Sequence, residues 1–282
     1  MAIQPQTSWD KPTGAVAVKF SGSEFTANLS TALSSGTLSL STSQVTELSL
    51  TFVDSDDLFL ARSYVTARGV TVTCQGWVLE VRGRDVNADG GTVTIKARSK
   101  RAGKLKDEKG KHSWGKQTIT SWVRAEAKWG GFTKFLIEPN STTATITRAG
   151  KTKDQEAESS WDVLSRYRDQ LNYQMFEYGD TFVFASRKWI GAQGNEWEWT
   201  WKNRNDYSDT LAGSPRYSYS ADSSPRESLT LPVQASNASD IRPGDTIKLS
   251  GSMSAWNGRW FVTDVSIPLA PNTAVDVTAT RL

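Results

Sequence analysis

SSWDVLSRYRDQLNYQMFEYGDTFVF, residues 159–184, changes its periodicity part-way. Trp161, Leu164, Tyr167 and Leu171 follow at intervals of three, three and four, which puts them on one face of a helix. Ser159 and Asp162 have the spacing of a helix cap. From Tyr173 the pattern becomes strand-like in two pieces, joined at Glu177–Asp180 by a turn containing Gly179. A helix running straight into a hairpin is a compact α+β unit, and it is expected to sit inside a chain that is otherwise β-rich.

Upstream of it, ITSWVRAEAKWGGF, residues 119–132, places Ile119, Val123 and Ala127 on one helical face. Ser121 is the expected cap and Gly130-Gly131 the stop. Strand-like FLIEP and TATITRAG follow. Before this region come AVAVKF, then SQVTELSLTFVD with Val45, Leu48, Leu50 and Phe52, then VTARGVTVTCQGWVLEVRGRDV and GTVTIKAR. Val70, Val72 and Cys74 alternate with threonines. Asn87 to Gly91 reads as the turn between two strands. Short strands with hairpin punctuation and no intervening helices predict a small antiparallel barrel or sandwich.

After the hairpin comes EWEWTWKN, residues 196–203. Trp197, Trp199 and Trp201 fall at every second position, so a strand would show all three indoles on one face. Two roles suit that face: an aromatic platform that stacks on sugars or bases, or a surface sealing a sheet or a subunit interface. Residues 203–226 read as a polar connector. SLTLPVQ, TIKLSG, RWFVTDVSIPL and AVDVTATRL then predict about four further strands.

Composition narrows the function classes. The chain has 282 residues, 37% of them hydrophobic, which is enough for a buried core and two domains or one large β architecture. No apolar run is long enough for a membrane span, and the N-terminus lacks the layout of a signal peptide, so synthesis and residence in a cytosol is the expectation. Residues 1–14, with Pro5, Pro12 and Gly14, look like an arm that needs a partner to become ordered.

Charge is nearly balanced, 33 basic against 30 acidic residues, so a nucleic-acid footprint would need clustering. One cluster exists at Lys96–Lys116, where nine Lys or Arg face Asp107 and Glu108. Lys100, Arg101, Lys104 and Lys106 are its candidate contacts. Its glycines and few apolar residues predict a solvated loop.

The chemistry of common enzymes is missing. His112 is the one histidine and Cys74 the one cysteine, and together they form no recognisable metal or nucleophile signature. Phosphate-binding and dinucleotide-binding glycine loops are absent. Asp54, Asp56 and Asp57 could converge on a hard cation, although an acidic turn closing a strand is the commoner use of such residues. Glu196 and Glu198 would suit a glycosidase pair only if they met a sugar, and on a strand they point away from the tryptophans. No catalytic, cofactor-binding or metal-binding residue is assigned.

Several stretches together carry a resemblance: VTELSLTFVDSDDLFL, then GVTVTCQGWVLEVRGRDVNADGGTVTIKAR, ITSWVRAEAKWGG, ESSWDVLSRYRDQLNYQMFEYGDTFVF and IRPGDTIKLSGSMSAWNGRWFVTDV. In this order they resemble the tail hub or baseplate hub proteins of long-tailed bacteriophages and the related hubs of gene transfer agents and contractile injection systems.

The resemblance covers residues 37–282. It implies a mainly β chain with minor α content: two small antiparallel tube-type β-barrels with an inserted helix-plus-hairpin module. Residues 15–105 would form the first barrel, 106–202 the insert and 203–282 the connector and second barrel. It further implies a homotrimeric, pseudo-hexameric ring in the virion, assembled in the host cytoplasm, joining the sixfold tail tube to threefold tip components. Its partners would be a tail-tube or distal-tail ring, a tip spike or fibre, a tape-measure protein, and DNA passing without specific binding. The chain carries no recognisable fused lysozyme or peptidase, so the expectation is a non-enzymatic structural protein. The alternative is a carbohydrate-binding or receptor-binding tail protein that uses the Trp-rich strand.

Overall fold

The computed structural model describes residues 18–21, 26–28, 32–54, 67–74, 77–87, 89, 91–153, 155–203, 206–207, 211–221, 227–234, 241–251, 254–269 and 274–282. The expected N-terminal arm, and Asp56 and Asp57 of the acidic turn, lie outside the described residues. The chain forms two compact units, one of residues 1–41, 46–99 and 193–282 and the other of residues 42–45 and 100–192.

The first unit begins with β1 (Val18–Ser21), β2 (Thr26–Asn28), β3 (Leu33–Ser41), β4 (Glu47–Val53), β5 (Thr71–Cys74), β6 (Trp77–Asn87) and β7 (Thr92–Ser99). The second unit carries α1 (Lys100–Asp107), β8 (His112–Thr118), α2 (Ile119–Gly130), β9 (Lys134–Ile137), β10 (Thr143–Arg148), α3 (Ser160–Leu171), β11 (Gln174–Tyr178) and β12 (Thr181–Ala185). After α4 (Arg187–Gln193), the chain returns to the first unit as β13 (Glu196–Asn203), β14 (Asp206–Tyr207), β15 (Arg216–Tyr219), β16 (Glu227–Val233), β17 (Thr246–Gly251), β18 (Gly258–Pro268) and β19 (Val275–Arg281). The protein is mainly β, as the sequence predicts.

In the first unit, alternation decides which face is buried. On β4, Leu48, Leu50 and Phe52 turn inward while Glu47, Ser49 and Val53 turn out, and on β7 Val93, Ile95 and Ala97 do the same. Leu38 and Leu40 of β3, Leu79 and Val81 of β6, Val72 and Cys74 of β5 and Phe20 of β1 complete this part of the core.

The strands before and after the second unit belong to one hydrogen-bonded network of 14 strands. Its seam is β18, which pairs with β17 over Gly258–Phe261 and with β3 over Asp264–Pro268, and with β19 along its other edge. The two groups of strands expected to form separate barrels are therefore joined edge to edge. The region predicted as a connector contributes β15, which pairs antiparallel with β16.

The second unit contains a three-stranded sheet in the order β11-β12-β9, where β9 runs parallel to β12, and a ribbon of β8 and β10. Helix α3 has the predicted capping box, with Ser159 and Asp162 bonding each other's backbone N–H. It ends at Asn172, in the left-handed region at φ 53°. Helix α2 ends at Gly131 as predicted. Its cap is Thr118 rather than Ser121: β8 stays extended up to Thr118, whose hydroxyl accepts the Ser121 N–H. Trp122, Val123, Trp161, Leu164, Phe182 and Phe184 lie at the centre of the core, which also takes in Val45.

The unit borders differ from the expected insert of 106–202. The second unit starts at Lys100 because α1 buries Ala102 and Leu105 in its core, and it ends at Ala192 because the Trp strand joins the large sheet.

Candidate functional site

Strand β13 lies parallel to β17, with Trp197 opposite Ile247, Trp199 opposite Leu249 and Trp201 opposite Gly251. The three indoles share one face, and that face is turned into the core. Trp199 and Trp201 keep only 5% and 7% of their surface exposed, and Trp197 is half-buried. Trp201 stacks on Trp256 at 4.8 Å, Tyr217 lies parallel to Trp256 at 6.4 Å, and Tyr217 meets Trp260 edge-on. The Arg281 guanidinium covers Trp260 at 4.8 Å. An exposed platform built on this stripe is thus replaced by an aromatic packing layer.

The opposite face of β13 is wet and charged. Glu196 pairs with Arg259 at 2.6 Å, and Glu198 with Lys248 at 2.7 Å. The hydrogen bond from Lys248 holds the Glu198 carboxyl below its ordinary range and, reciprocally, pushes the lysine up. These carboxylates occupy ion pairs on the side away from the tryptophans, so the stripe and the two acids do not form a joint sugar site.

A buried polar cluster anchors the start of this strand, and the sequence reading missed it. Every residue of Ile241–Thr246 is buried, including Arg242 and Asp245 at 3% exposure each. Asp245 Oδ2 accepts the Trp197 indole N–H at 2.9 Å and the Arg242 backbone N–H at 3.1 Å, while Oδ1 accepts the Asn195 N–H at 3.2 Å. Burial pushes the carboxyl up to about 6, outweighing the opposing pull of Trp197, Asn195 and Arg242. The stretch Ile241–Asp245 reads as an ordinary polar turn, so nothing in the sequence marks it as interior.

The basic cluster is no solvated loop. Lys100–Asp107 is helix α1, and Lys96–Ser99 belongs to β7. Ala102 and Leu105 are the only apolar anchors of α1, too few for the helical period to show. Its cations close off neighbouring structure. Arg101 donates to Gly131 O at 2.9 Å and Gly179 O at 3.1 Å, and Lys104 donates to Trp129 O at 2.7 Å. Arg101 and Lys104 thus satisfy carbonyls at the C-terminal end of α2, where cations also suit the helix dipole. Lys106 lies over the Trp161 ring at 5.7 Å, and Lys100 is exposed.

Arg148, also missed, is buried and donates to Gly110 O, Glu108 O and Ser160 Oγ at 2.6, 3.0 and 2.9 Å. His112 rests edge-on against Trp114. Cys74 is buried in the other unit, and burial pushes its thiol up to about 12, so it is an inert apolar filler. Asp54 is buried, with its backbone N–H bonded to Gly91 O. Among the described residues, no group of three or more His, Cys, Asp or Glu side chains is placed to hold a metal ion, and no helix is long and apolar enough to cross a membrane.

What is built here is a mostly β scaffold with aromatic seams. Three-dimensional comparison identifies it. A tail protein from Neisseria meningitidis MC58 superposes with a TM-score of 0.66 at 11% identity, over 95% of this chain and 97% of its own. The chain has the fold of phage tail proteins. The 43 kDa tail protein of prophage MuSo2 from Shewanella oneidensis matches with a TM-score of 0.64 at 10% identity, covering 95% of this chain and 98% of that one. The E. coli c3393 protein, a component of the type VI secretion system described as structurally similar to T4 tail proteins gp27 and gp5, matches at 0.57 with 13% identity, over 89% of this chain and 73% of its own. No family model matches the sequence, and no curated protein matches it. At these identities the likeness lives in the fold and not in retained side chains.

Proposed function

We propose that this chain is a structural protein of a phage tail, the hub at the tail tip or baseplate, and that it acts without catalysis. The observation carrying this reading is end-to-end agreement with a tail protein, 95% of one chain against 97% of the other. The functional element is the surface of the large sheet and its edges, not a pocket.

In this reading three copies form a pseudo-hexameric ring, each subunit contributing two groups of strands, one from before the second unit and one from after it. The ring joins a sixfold tube or distal-tail ring above to a threefold spike or fibre below. The tape-measure protein and then DNA occupy its lumen. The near-balance of 33 basic and 30 acidic residues supports passage of DNA over retention of it. The working location is the virion tail, with assembly in the host cytoplasm.

The test is the assembly state of the purified chain. Light scattering and particle images should give a ring of three copies of the 31.1 kDa chain, alone or on addition of tube protein. A species that stays monomeric at high concentration, with no ring in the images, would sink the proposal.

A further inference from the structure

We propose that the Asp245 carboxyl is a proton-operated latch on the start of β13, holding the Asn195 amide when ionised and releasing it when protonated. The geometry supplies the asymmetry. Oδ2 accepts two bonds, from the Trp197 indole and the Arg242 amide, whereas Oδ1 accepts one, the longest of the three, from Asn195. A proton therefore goes to Oδ1 at the smaller loss. Once there, it turns Oδ1 from a carboxylate oxygen into a hydroxyl, a much poorer acceptor, and the already long bond from the Asn195 N–H opens. The carbonyl-like Oδ2 keeps Trp197 and Arg242.

The surroundings leave this carboxyl as the group that titrates. Arg242, on the same turn, is the charged side chain acting on it. From the β13 side come only the neutral Asn195 and Trp197; Glu196 lies on the opposite face with Arg259. From β18 comes backbone: Val262 N–H donates to Asp245 O, and Val262 O accepts the Gly244 N–H. Burial has brought the carboxyl to about 6, so the change falls near neutral pH instead of in acid. The latch acts where β13 begins, because Thr246 N–H bonds Asn195 O at 2.9 Å and Glu196 is the first residue in register with β17. This inference is independent of the tail reading.

Amide hydrogen exchange on the full chain, corrected for intrinsic rates, tests it between pH 7.5 and 5. Protection of the Asn195 amide should fall about tenfold on passing below pH 6, the size expected for one lost bond to a carboxylate, while the Trp197 indole N–H stays protected. The Asn195 midpoint should coincide with the Asp245 side-chain carbon titration in the same sample. Constant protection at Asn195, or two different midpoints, overturns the proposal. Asp245→Asn, neutral at every pH, should abolish the pH dependence if it folds; a folded D245N that keeps the dependence also overturns it. The wild-type comparison of midpoints stands if the variant fails to fold.

Discussion

Gly251 and Trp201 face each other across the parallel β13–β17 pair so closely that a Cβ built on Gly251 lands on the Trp201 carbonyl oxygen. Gly251 also sits at φ 149°, a backbone conformation that L side chains rarely adopt. Gly251→Ala should therefore destabilise the first unit by about 2–4 kcal/mol, combining strain with a forced shift of β13. Urea titration followed by tryptophan fluorescence measures it. As a control, Gly91→Ala, where φ is also positive but the added Cβ meets nothing, should cost less.

Arg148 should be worth more to the second unit than its place in a Thr-rich strand suggests. Its guanidinium satisfies two backbone carbonyls and the Ser160 hydroxyl from within the interior. Arg148→Met removes these three bonds, although Glu108 O keeps the Ser160 N–H, so a loss of about 2–3 kcal/mol is expected. Arg148→Lys keeps the charge but loses the fork and should recover less than half of that. The pair is read from thermal unfolding, with protection of the β8–β10 amides as the local probe.

Stability should rise as pH falls from 7.5 to 5. The Asp245 carboxyl has a folded-state value of about 6, above its ordinary value of 3.8, so burying it ionised costs free energy and burying it neutral does not. The contribution is fully present below about 4 and lost as pH climbs through about 6. Between pH 5 and 7.5 the change amounts to about 1.5 kcal/mol, which is a few degrees in melting temperature. A melting temperature that falls from pH 7.5 to 5, or is flat, contradicts the assignment.

How much of this could be read beforehand follows from where the signal resides. Helix α3 and the β11–β12 hairpin were legible because cap, period and turn residue all agree within one stretch of chain. The shared face of Trp197, Trp199 and Trp201 followed from the strand period alone. That face's partner did not, since β17 lies some 50 residues on and parallel pairing leaves no hairpin mark. Helix α1 was hidden by having two apolar anchors among cations whose stems and charges serve the end of α2. Asp245 was hidden for a simpler reason. Turn chemistry in the sequence says that the chain reverses, and says nothing about whether the reversal happens under other structure.

Replacing Trp199 separates the packing role from a recognition role. Its indole is 5% exposed and sits beside Leu249's position on β17, whereas its neighbour Glu198 is on the solvent side, paired with Lys248. Trp199→Ala should cost about 3–5 kcal/mol, the range for truncating a buried aromatic, and should show first as lost folding or assembly. Glu198→Gln should leave folding and assembly unchanged, because an exposed ion pair contributes little. Titration with host polysaccharide or peptidoglycan fragments, watched by tryptophan fluorescence, completes the set. Wild type should give no response that Trp199→Ala abolishes. A Trp199→Ala protein that folds and assembles normally but loses sugar binding would move the stripe from packing to recognition.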